Sequence, residues 1–212
     1  VSRTRTSAAG VEAEYYGYNA ENRLSTYSKP SASHLWQYEY WPGGERAAKV
    51  NLSTQEKELY AHRFGDVTTE YRQSGQAVQL LNTYIQGLGM DSKVARESAA
   101  GERRYYLGVL VGTVGGALDG VGELIENTVR DVWGGPIVGA SAEKYGFAQR
   151  EHDGESSLVY MRHRMYDSRT GRFTQTDPIQ GNRAFKHYAY AGNNPVSRID
   201  PMELDDWRND PH

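Results

Sequence analysis

Tyrosine alternates with other residues at two places near the start of the chain, as Tyr16-Gly-Tyr18 and again as Tyr38-Glu-Tyr40. Side chains two positions apart lie on the same face of a strand, so each alternation predicts a strand with both rings on one face. Turn-forming residues follow both strands, Asn19 and Asn22 in the first copy and Pro42-Gly43-Gly44 in the second. Each copy is therefore predicted to form a strand, a tight turn and a second strand.

Weaker copies of this unit continue along the chain, with turn signals about every 10 to 20 residues. The spacing predicts a succession of antiparallel hairpins, which must stack or curl into a larger sheet because one hairpin cannot bury its own apolar face. The predicted strands are anchored at residues 16–18, 38–40, 84, 105–107, 160–166 and 188–190. Helix is the alternative at residues 54–59 and also at residues 122–132, where a strand pair around Asn127 is the other interpretation.

The composition changes this picture little, because 16 Tyr and 23 Gly also favour strands joined by tight turns. A net charge of −3, with 24% charged residues, provides no basic surface for nucleic acid. The longest uncharged apolar stretch, residues 107–118, is interrupted by glycines and is shorter than the roughly 20 residues that span a bilayer. The absence of Cys excludes disulfides and Cys-based zinc sites. We expect no cofactor, no metal site, no nucleic-acid partner and no transmembrane segment.

The histidines of the chain are few and widely separated, and they form no H-E-x-x-H motif. His152 and His163 are interpreted as surface or sheet-face residues, not as metal ligands.

The last third of the chain carries the most specific pattern. Its segments are, in order, Tyr145-Gly-Phe147-Ala-Gln-Arg150, Tyr160-Met-Arg162-His-Arg164-Met-Tyr166-Asp167, Gly171-Arg172-Phe173, Thr176-Asp177-Pro178-Ile179, Tyr188-Ala-Tyr190-Ala-Gly192-Asn193-Asn194-Pro195 and Asp200-Pro201. This ordered set closely resembles the conserved core of Rhs proteins, the bacterial YD-repeat family that includes the C component of Tc toxin complexes and is related to teneurins. The units at Tyr16 and Tyr38 resemble YD repeats, with Asn19 and Trp41 in place of the usual Asp.

The resemblance implies a mainly β fold in which antiparallel YD-repeat hairpins form part of a curled sheet or hollow β-shell, closed by the Rhs core. It implies YD-repeat hairpins over residues 1–144, a core or plug over 145–204, and an acidic tail over 205–212. Such shells enclose and deliver a C-terminal toxin cargo, which this chain does not contain. The implied partners are that cargo and other chains of the shell or of a secretion apparatus, and the implied location is secreted or on the bacterial surface.

The resemblance also implies self-cleavage by an aspartic-protease-like pair of carboxylates, with Asp177 and Asp200 at the matching positions. Ionising two adjacent carboxylates together is energetically unfavourable, so one can stay protonated and act as acid while the other, as base, activates water. The implied cleavage site lies between Leu204 and Asp205.

Four residues are expected to build the structural core of the plug: Arg172, Phe173, Asn194 and Pro195. They belong to two predicted fixed turns, with Phe173 buried and with Arg172 bound to a carboxylate or a carbonyl because its planar fork can brace two strands. Arg162 and Arg164 are expected to make cation–π contacts with neighbouring rings.

Two observations favour a different interpretation of the acid pair. Asp before Pro commonly caps a turn, so Asp177 and Asp200 are equally well interpreted as turn formers. Glu203 stands where the resembled family has Gly, and a side chain at a bend built for glycine would misplace the bond after Leu204. The alternative function is thus a structural or adhesive YD-repeat module with an inactive core.

Overall fold

The computed structural model describes residues 2–7, 10–139, 141–178 and 187–198, with side chains described from Glu12 onward except at Ala32. The chain packs as two compact units, Val1–Thr83 and Tyr84–His212. The predicted mainly antiparallel β fold is confirmed, and every strand pair described is antiparallel. The predicted division at residue 144 stays a prediction. None of the helical segments in the described ranges has the length or hydropathy needed to cross a membrane.

The first unit is a run of strands in which each strand pairs with the next along the chain. The strands are β1 (Ser2–Ser7), β2 (Gly10–Tyr18), β3 (Leu24–Lys29), β4 (His34–Tyr40), β5 (Arg46–Asn51), β6 (Glu56–Arg63), β7 (Asp66–Ser74) and β8 (Ala77–Gln86). A short 3₁₀ turn, Pro30–Ala32, precedes β4. Strand β8 begins in this unit, and its residues 84–86 belong to the second.

The second unit contains two further groups of strands and a two-stranded hairpin. Four strands pair in chain order: β9 (Lys93–Ser98), β10 (Arg103–Gly108), β11 (Val114–Leu118) and β12 (Leu124–Asn127). The hairpin consists of β13 (Val129–Arg130) and β14 (Pro136–Val138). The C-terminal sheet consists of β15 (Glu151–Asp153), β16 (Leu158–Met161), β17 (Arg164–Asp167) and β18 (Arg172–Phe173). Three 3₁₀ turns complete the unit: Leu110–Gly112, Phe147–Gln149 and Ala191–Asn193.

Five hairpins of the described strands share one turn geometry, which residues 146–150 repeat outside a named strand pair. The N–H of its first residue donates to the carbonyl of its fifth, and the N–H of its fourth donates to the carbonyl of its first; the first residues are Asn19, Trp41, Ser98, Asp119 and Asp131. The fourth residue has a positive φ in each of the five hairpins, and it is Gly in four of them and Asn22 in the other. Glycine adopts this conformation without strain, which explains its frequency in the sequence.

A side-chain oxygen closes four of these five turns. Oδ1 of Asn19 accepts from the N–H of the fifth residue at 2.9 Å, and Ser98, Asp119 and Asp131 make the same bond. Trp41 has no such oxygen, so its turn depends on the backbone hydrogen bonds and on Gly44 alone. The side-chain bond satisfies a backbone donor that the sheet leaves unpaired.

Tyrosine rings fill the first unit where aliphatic side chains would be usual. Tyr16 and Tyr27 lie opposite each other on β2 and β3, and both hydroxyls donate to the buried carboxylate of Glu14. The fully buried guanidinium of Arg46 lies 5.7 Å from the Tyr38 ring and 5.4 Å from the Tyr60 ring. The Tyr-x-Tyr alternation therefore points its first ring into the protein, and the second ring of each pair is half-buried.

Both helix alternatives are wrong. Asn51 Oδ1 accepts from the N–H groups of Ser53 and Thr54, and Gln55 has a positive φ of 62°, so the chain turns before it enters β6. Residues 122–132 form β12 and β13, which pair with β11 and β14 and not with each other. The apolar residues of the second segment are spaced as in a helix, yet hydrogen bonding to neighbouring strands outweighs that local preference.

Two predicted strands also differ from the structure. Residues 160–166 form the hairpin of β16 and β17, not one strand, because Arg162 has a positive φ of 45° and Met161 pairs with Arg164. Residues 188–190 contribute one isolated bridge between Arg172 and Ala189. Tyr160 and Tyr166 lie in strands, as predicted, whereas Tyr188 and Tyr190 do not. The turn between β16 and β17 contains no glycine or proline that would reveal it.

Two carboxylates, the buried Glu143 and the partly exposed Asp91, hold the second unit together. Glu143 accepts hydrogen bonds from Arg96, Arg104 and Tyr106, which lie on β9 and β10. Burial alone would raise the pKa of Glu143, but the bonds and charge of Arg96, followed by those of Arg104 and Tyr106, hold it below its ordinary value. Asp91, before β9, lies 2.8 Å from Arg150 and 2.9 Å from Arg162 and so joins two distant segments.

His152 on β15 supports the turn that carries Phe147. Its Nε2 accepts from the Phe147 N–H at 3.0 Å, so the neutral ring is the form that fits. Burial and the nearby charge of Arg130 lower the pKa of His152 to about 3, against the attraction of Asp153 and Glu151. His152 is thus a structural hydrogen-bond acceptor on the sheet.

We expect the side-chain cap of the repeated turn to be measurable at Asp119, where Oδ1 accepts from the N–H groups of both Val121 and Glu123. Asp119→Ala should lower the free energy of unfolding by about 1 kcal/mol, because two backbone donors lose their partner. Asp119→Asn keeps the oxygen and should cost less than about 0.5 kcal/mol. Urea unfolding curves of both variants measure the difference, and equal losses would contradict the capping role.

The low pKa of His152 predicts that acid destabilises the fold. Below the ordinary His pKa of about 6.5 the unfolded chain binds a proton that the folded chain does not, so stability is complete above that pH and falls as the pH drops toward 3. This group alone should remove about 2 kcal/mol between pH 7 and pH 5. His152→Gln keeps an acceptor and should flatten the dependence in urea titrations, whereas His34→Gln, at an exposed position, should leave it unchanged.

Candidate functional site

The C-terminal sheet surrounds an aromatic cluster in the second unit. Every residue of β16 and β17 is buried. The rings of Phe147, Tyr166, Phe173 and Tyr190 pack together with centroids 5.0 to 5.9 Å apart. Tilted and edge-on rings at these separations stabilise a core beyond their area burial. The candidate site is built against this cluster.

Arg164 on β17 is the polar centre of the site, with a side chain only 1% exposed. Its Cζ lies 3.6 Å from the centroid of the Phe173 ring, its Nη1 donates to the carbonyl of His187 at 3.3 Å, and its Nη2 lies 3.3 Å from Oδ2 of Asp177. A buried guanidinium is costly unless it is paired and hydrogen-bonded. The aromatic face, the carbonyl and the carboxylate meet most of that need, although the buried Nε of Arg164 has no hydrogen-bond partner.

Asp177 is held from two sides. Its N–H donates to the carbonyl of His187 at 3.0 Å, the same oxygen that accepts from Arg164, and its carboxylate pairs with the guanidinium. Its side chain is 12% exposed. The site thus presents one carboxylate at the edge of a dry cluster, in a position where one of its oxygens is fixed by an arginine. Asp200, Leu204 and Asp205 lie outside the described residues, so the predicted acid pair and cleavage site stay predictions.

The two residues of β18 point in opposite directions. Phe173 is buried at 3% exposure, in the aromatic cluster, and its N–H donates to the Tyr188 carbonyl. Arg172 is exposed, and no carboxylate or carbonyl among the described residues accepts a hydrogen bond from its side chain. The bracing contacts that we expected of Arg172 are made eight positions earlier, by Arg164. Neighbouring positions of a strand face opposite sides, so only one residue of the pair enters the core.

Asn194 and Pro195 follow the 3₁₀ turn of residues Ala191–Asn193. The N–H of Asn194 donates to the Ala191 carbonyl, and its own carbonyl accepts from Arg198. Asn194 is exposed and Pro195 is buried. Ala191, Gly192 and Asn193 all have positive φ, so a tight left-handed turn leads the chain away from Tyr190.

The ion pair of Arg164 with Asp177 was not predicted, although a cation–π contact of Arg164 with a neighbouring ring was. One signal was present in the sequence: Arg162 and Arg164 both lie within the apolar run of residues 158–166. Alternation alone does not show which acid an inward arginine meets, because that acid, Asp177, lies beyond β18 in a segment without regular secondary structure. In the described ranges no three His, Asp or Glu side chains cluster as metal ligands would.

We expect Arg164→Lys to destabilise the protein, because an ammonium cannot lie flat on Phe173 while bonding to both His187 and Asp177. The free energy of unfolding should fall by roughly 2 kcal/mol. Arg172→Lys is the matched control on the exposed face of β18 and should change it by less than about 0.5 kcal/mol. Thermal and urea unfolding measure the stability of the two variants. A larger loss of stability in the Arg172 variant would show that Arg172, not Arg164, braces the strands.

Several proteins are similar to this chain in sequence. A tRNA3(Ser)-specific nuclease WapA from Bacillus spizizenii is 25% identical over 196 residues, which cover 88% of this chain and 8% of WapA. The toxin subunit YenC1 from Yersinia entomophaga is 31% identical over 124 residues, which cover 55% of this chain and 12% of YenC1. This chain therefore spans only about a tenth of the length of these relatives. No protein-family model matches the chain.

Solved structures are similar in fold. The crystal structure of TcdB2-TccC3-TEV superimposes on 90% of this chain with a TM-score of 0.71 and 19% sequence identity, and 10% of that chain is covered. At this identity the likeness concerns the fold alone. The similar sequences and the similar fold are consistent with the resemblance to Rhs-type proteins.

Proposed function

We propose that this chain is the C-terminal portion of an Rhs-type shell that encapsulates and delivers a toxin, and that its core cleaves itself after Leu204. The first part is supported by the likeness to WapA, YenC1 and the TcdB2-TccC3-TEV structure, in which this chain matches about a tenth of a much longer chain. The remaining length of such a protein would supply the further hairpins of the shell and the cargo. Other Tc-type toxin chains would be its partners, outside the cell that produces it.

The observation that carries the self-cleavage proposal is the buried contact between Arg164 and Asp177. A carboxylate fixed by a guanidinium, beside an aromatic cluster and slightly open to solvent, is arranged as a proton acceptor should be. Asp177 is accordingly assigned the role of base and Asp200 that of acid.

The proposed reaction is hydrolysis of one peptide bond. Asp177 takes a proton from a water molecule while the water oxygen attacks the carbonyl carbon of Leu204, and Asp200 gives its proton to the carbonyl oxygen. When the tetrahedral species collapses, the bond to the nitrogen of Asp205 breaks and that nitrogen receives a proton from the acid pair. The products are a chain ending at Leu204 and a fragment beginning at Asp205.

Glu203 is the reason to expect that this reaction is slow in the natural sequence. A Glu at a bend built for Gly costs on the order of 1 kcal/mol, and its carboxylate adds a third negative charge beside the acid pair. The alternative function, a structural or adhesive module with an inactive core, is favoured by this same residue.

Intact-mass spectrometry of the purified chain tests the proposal. Glu203→Gly should accelerate cleavage after Leu204 by about 10-fold, because the strain and the extra charge are removed together. Adding Asp177→Asn to that variant should slow cleavage by at least about 100-fold, as expected for loss of a general base. Glu102→Gln, at an exposed position on the β9–β10 turn, is the matched control and should not alter the Glu203→Gly rate.

Each variant must retain the far-UV circular dichroism spectrum and the unfolding transition of the parent. A slower cleavage then cannot be attributed to unfolding of the variant. If the Glu203→Gly protein stays intact for days at mildly acidic and neutral pH, the acid pair is not a protease and the structural module is the better proposal. Cleavage that persists at the same rate in the double variant would remove Asp177 from the mechanism.

A further inference from the structure

A pocket of about 180 Å3 lies in the second unit beside the β13–β14 hairpin. Val109, Leu110, Val132, Phe147 and Val196 form its apolar walls. Val109, Leu110, Val132 and Val196 are each more than half exposed. Single exposed aliphatic residues are ordinary, but four around one pocket make a contiguous apolar surface of the kind that binds another molecule.

The polar part of the pocket contains a guanidinium, that of Arg130, which forms no ion pair with a described carboxylate. Asp131 also lines the pocket, but its Oδ1 already accepts from the N–H groups of Trp133 and Gly135. Arg130 lines the pocket, and its Nη1 donates at 3.2 Å to the neutral carbonyl of Gly134. Its Nε is buried and has no hydrogen-bond partner, and no acid within the described ranges lies at ion-pair distance from it. Burial lowers the pKa of Arg130, and the negative charge of Glu126 offsets this effect only in part.

Thr128 provides a second, independent observation, because it is another buried polar residue of this pocket whose side chain lacks a hydrogen-bond partner. It also lines the pocket, it is only 5% exposed, and its Oγ1 has no hydrogen-bond partner. The other threonine of the lining, Thr113, differs because its Oγ1 accepts from the Ala148 N–H at 3.1 Å. Buried hydroxyls without a partner are uncommon in proteins, since each costs about 1 to 3 kcal/mol.

The positive charge of Arg130 also acts on the neighbouring ring of His152. Both the Nη2 of Arg130 and the Nε2 of His152 lie 2.8 Å from the position that a Cβ on Gly146 would occupy. The guanidinium is one of the causes of the low pKa of His152, after burial itself. Asp153 and Glu151 act on the same ring in the opposite direction, yet the pKa stays low.

We infer that this pocket binds an apolar amino-acid residue that carries a free carboxylate, as the last residue of a peptide chain does. The walls would hold one aliphatic or aromatic side chain, for which the volume is sufficient, and Arg130 would bind the carboxylate through charge-assisted hydrogen bonds. Thr128 would supply a hydroxyl donor. The inference does not depend on self-cleavage, because none of these residues belongs to the Arg164–Asp177 site.

A matched pair of small probes tests the inference on the complete chain. N-acetyl-leucine and N-acetyl-leucinamide share one apolar body and differ in the carboxylate, so their comparison isolates the role of Arg130. A ligand of this size is expected to bind with a dissociation constant of about 1 mM. In heteronuclear NMR titrations the acid should shift signals of the pocket residues and should bind about 10-fold more tightly than the amide.

Two variants separate the charge from the walls. Arg130→Met should remove the preference for the acid, while Arg130→Lys should keep part of it, because the charge remains without the planar fork. Val196→Asp should weaken both probes by at least about 10-fold, since it places a charge in the apolar wall and opposes the carboxylate. Val121→Asp is the control, because Val121 is 83% exposed and does not line the pocket.

Equal binding of the acid and the amide to the natural chain would overturn the inference, and this result does not depend on any variant folding. So would the absence of shifts at about 10-fold above the expected dissociation constant, or shifts confined to other parts of the protein. Hexanoate is a third probe: if it binds as tightly as N-acetyl-leucine, the pocket recognises any apolar carboxylate and the assignment to a peptide end is wrong.

Discussion

The repeated hairpins depend on how a five-residue turn satisfies its own backbone. A side-chain oxygen at the first position accepts from the N–H of the fifth, and a residue with positive φ at the fourth lets the chain reverse. The turn fixes the register of the two strands it joins, and the register decides which side chains face inward. Register shifts occur beside Tyr18 and Tyr40, immediately before two copies of this turn. The inward positions of Tyr16 and Tyr38 therefore follow from the turns that end their strands.

Because leucine, isoleucine and phenylalanine contribute little to the interior, polar aromatic residues and arginine form much of it. Arg46 lies between two tyrosine rings and Arg164 lies over a phenylalanine ring, and both are essentially inaccessible to water. Such an interior is directional, since hydroxyls and guanidinium groups need particular partners at particular angles, whereas methyl groups do not. Glu14, Glu143, Asp91 and Asp177 are those partners. Because each of these groups needs a particular partner, substitutions in this core lower the stability of the protein. The same need makes the arrangement of the core specific.

The sequence predicted the features that repeat and missed those that join distant segments. The strands at Tyr16, Tyr38, Tyr84 and Tyr105 follow from alternation, because side-chain direction in a strand is a local property. The hairpin at Arg162 has no turn residue to mark it, and tertiary contacts hold that arginine in a left-handed conformation against its own preference. Arg172 and Arg164 could not be ranked from sequence, since their roles depend on which of them faces Phe173 and Asp177. Glu143 lies in a segment without any pattern, so its three partners were beyond sequence reasoning.

The pairing of each strand with its neighbour in the chain also constrains how the protein is made. Antiparallel hairpins that pair in order, from β1 to β8, have short loops, so every new strand can be added as soon as it leaves a ribosome or a secretion channel. The C-terminal sheet cannot be added in this way, because Arg162 must find Asp91 across 71 residues of chain. Strands of the first unit can therefore pair in the order in which they emerge, whereas the C-terminal sheet forms only after distant segments of the chain have met.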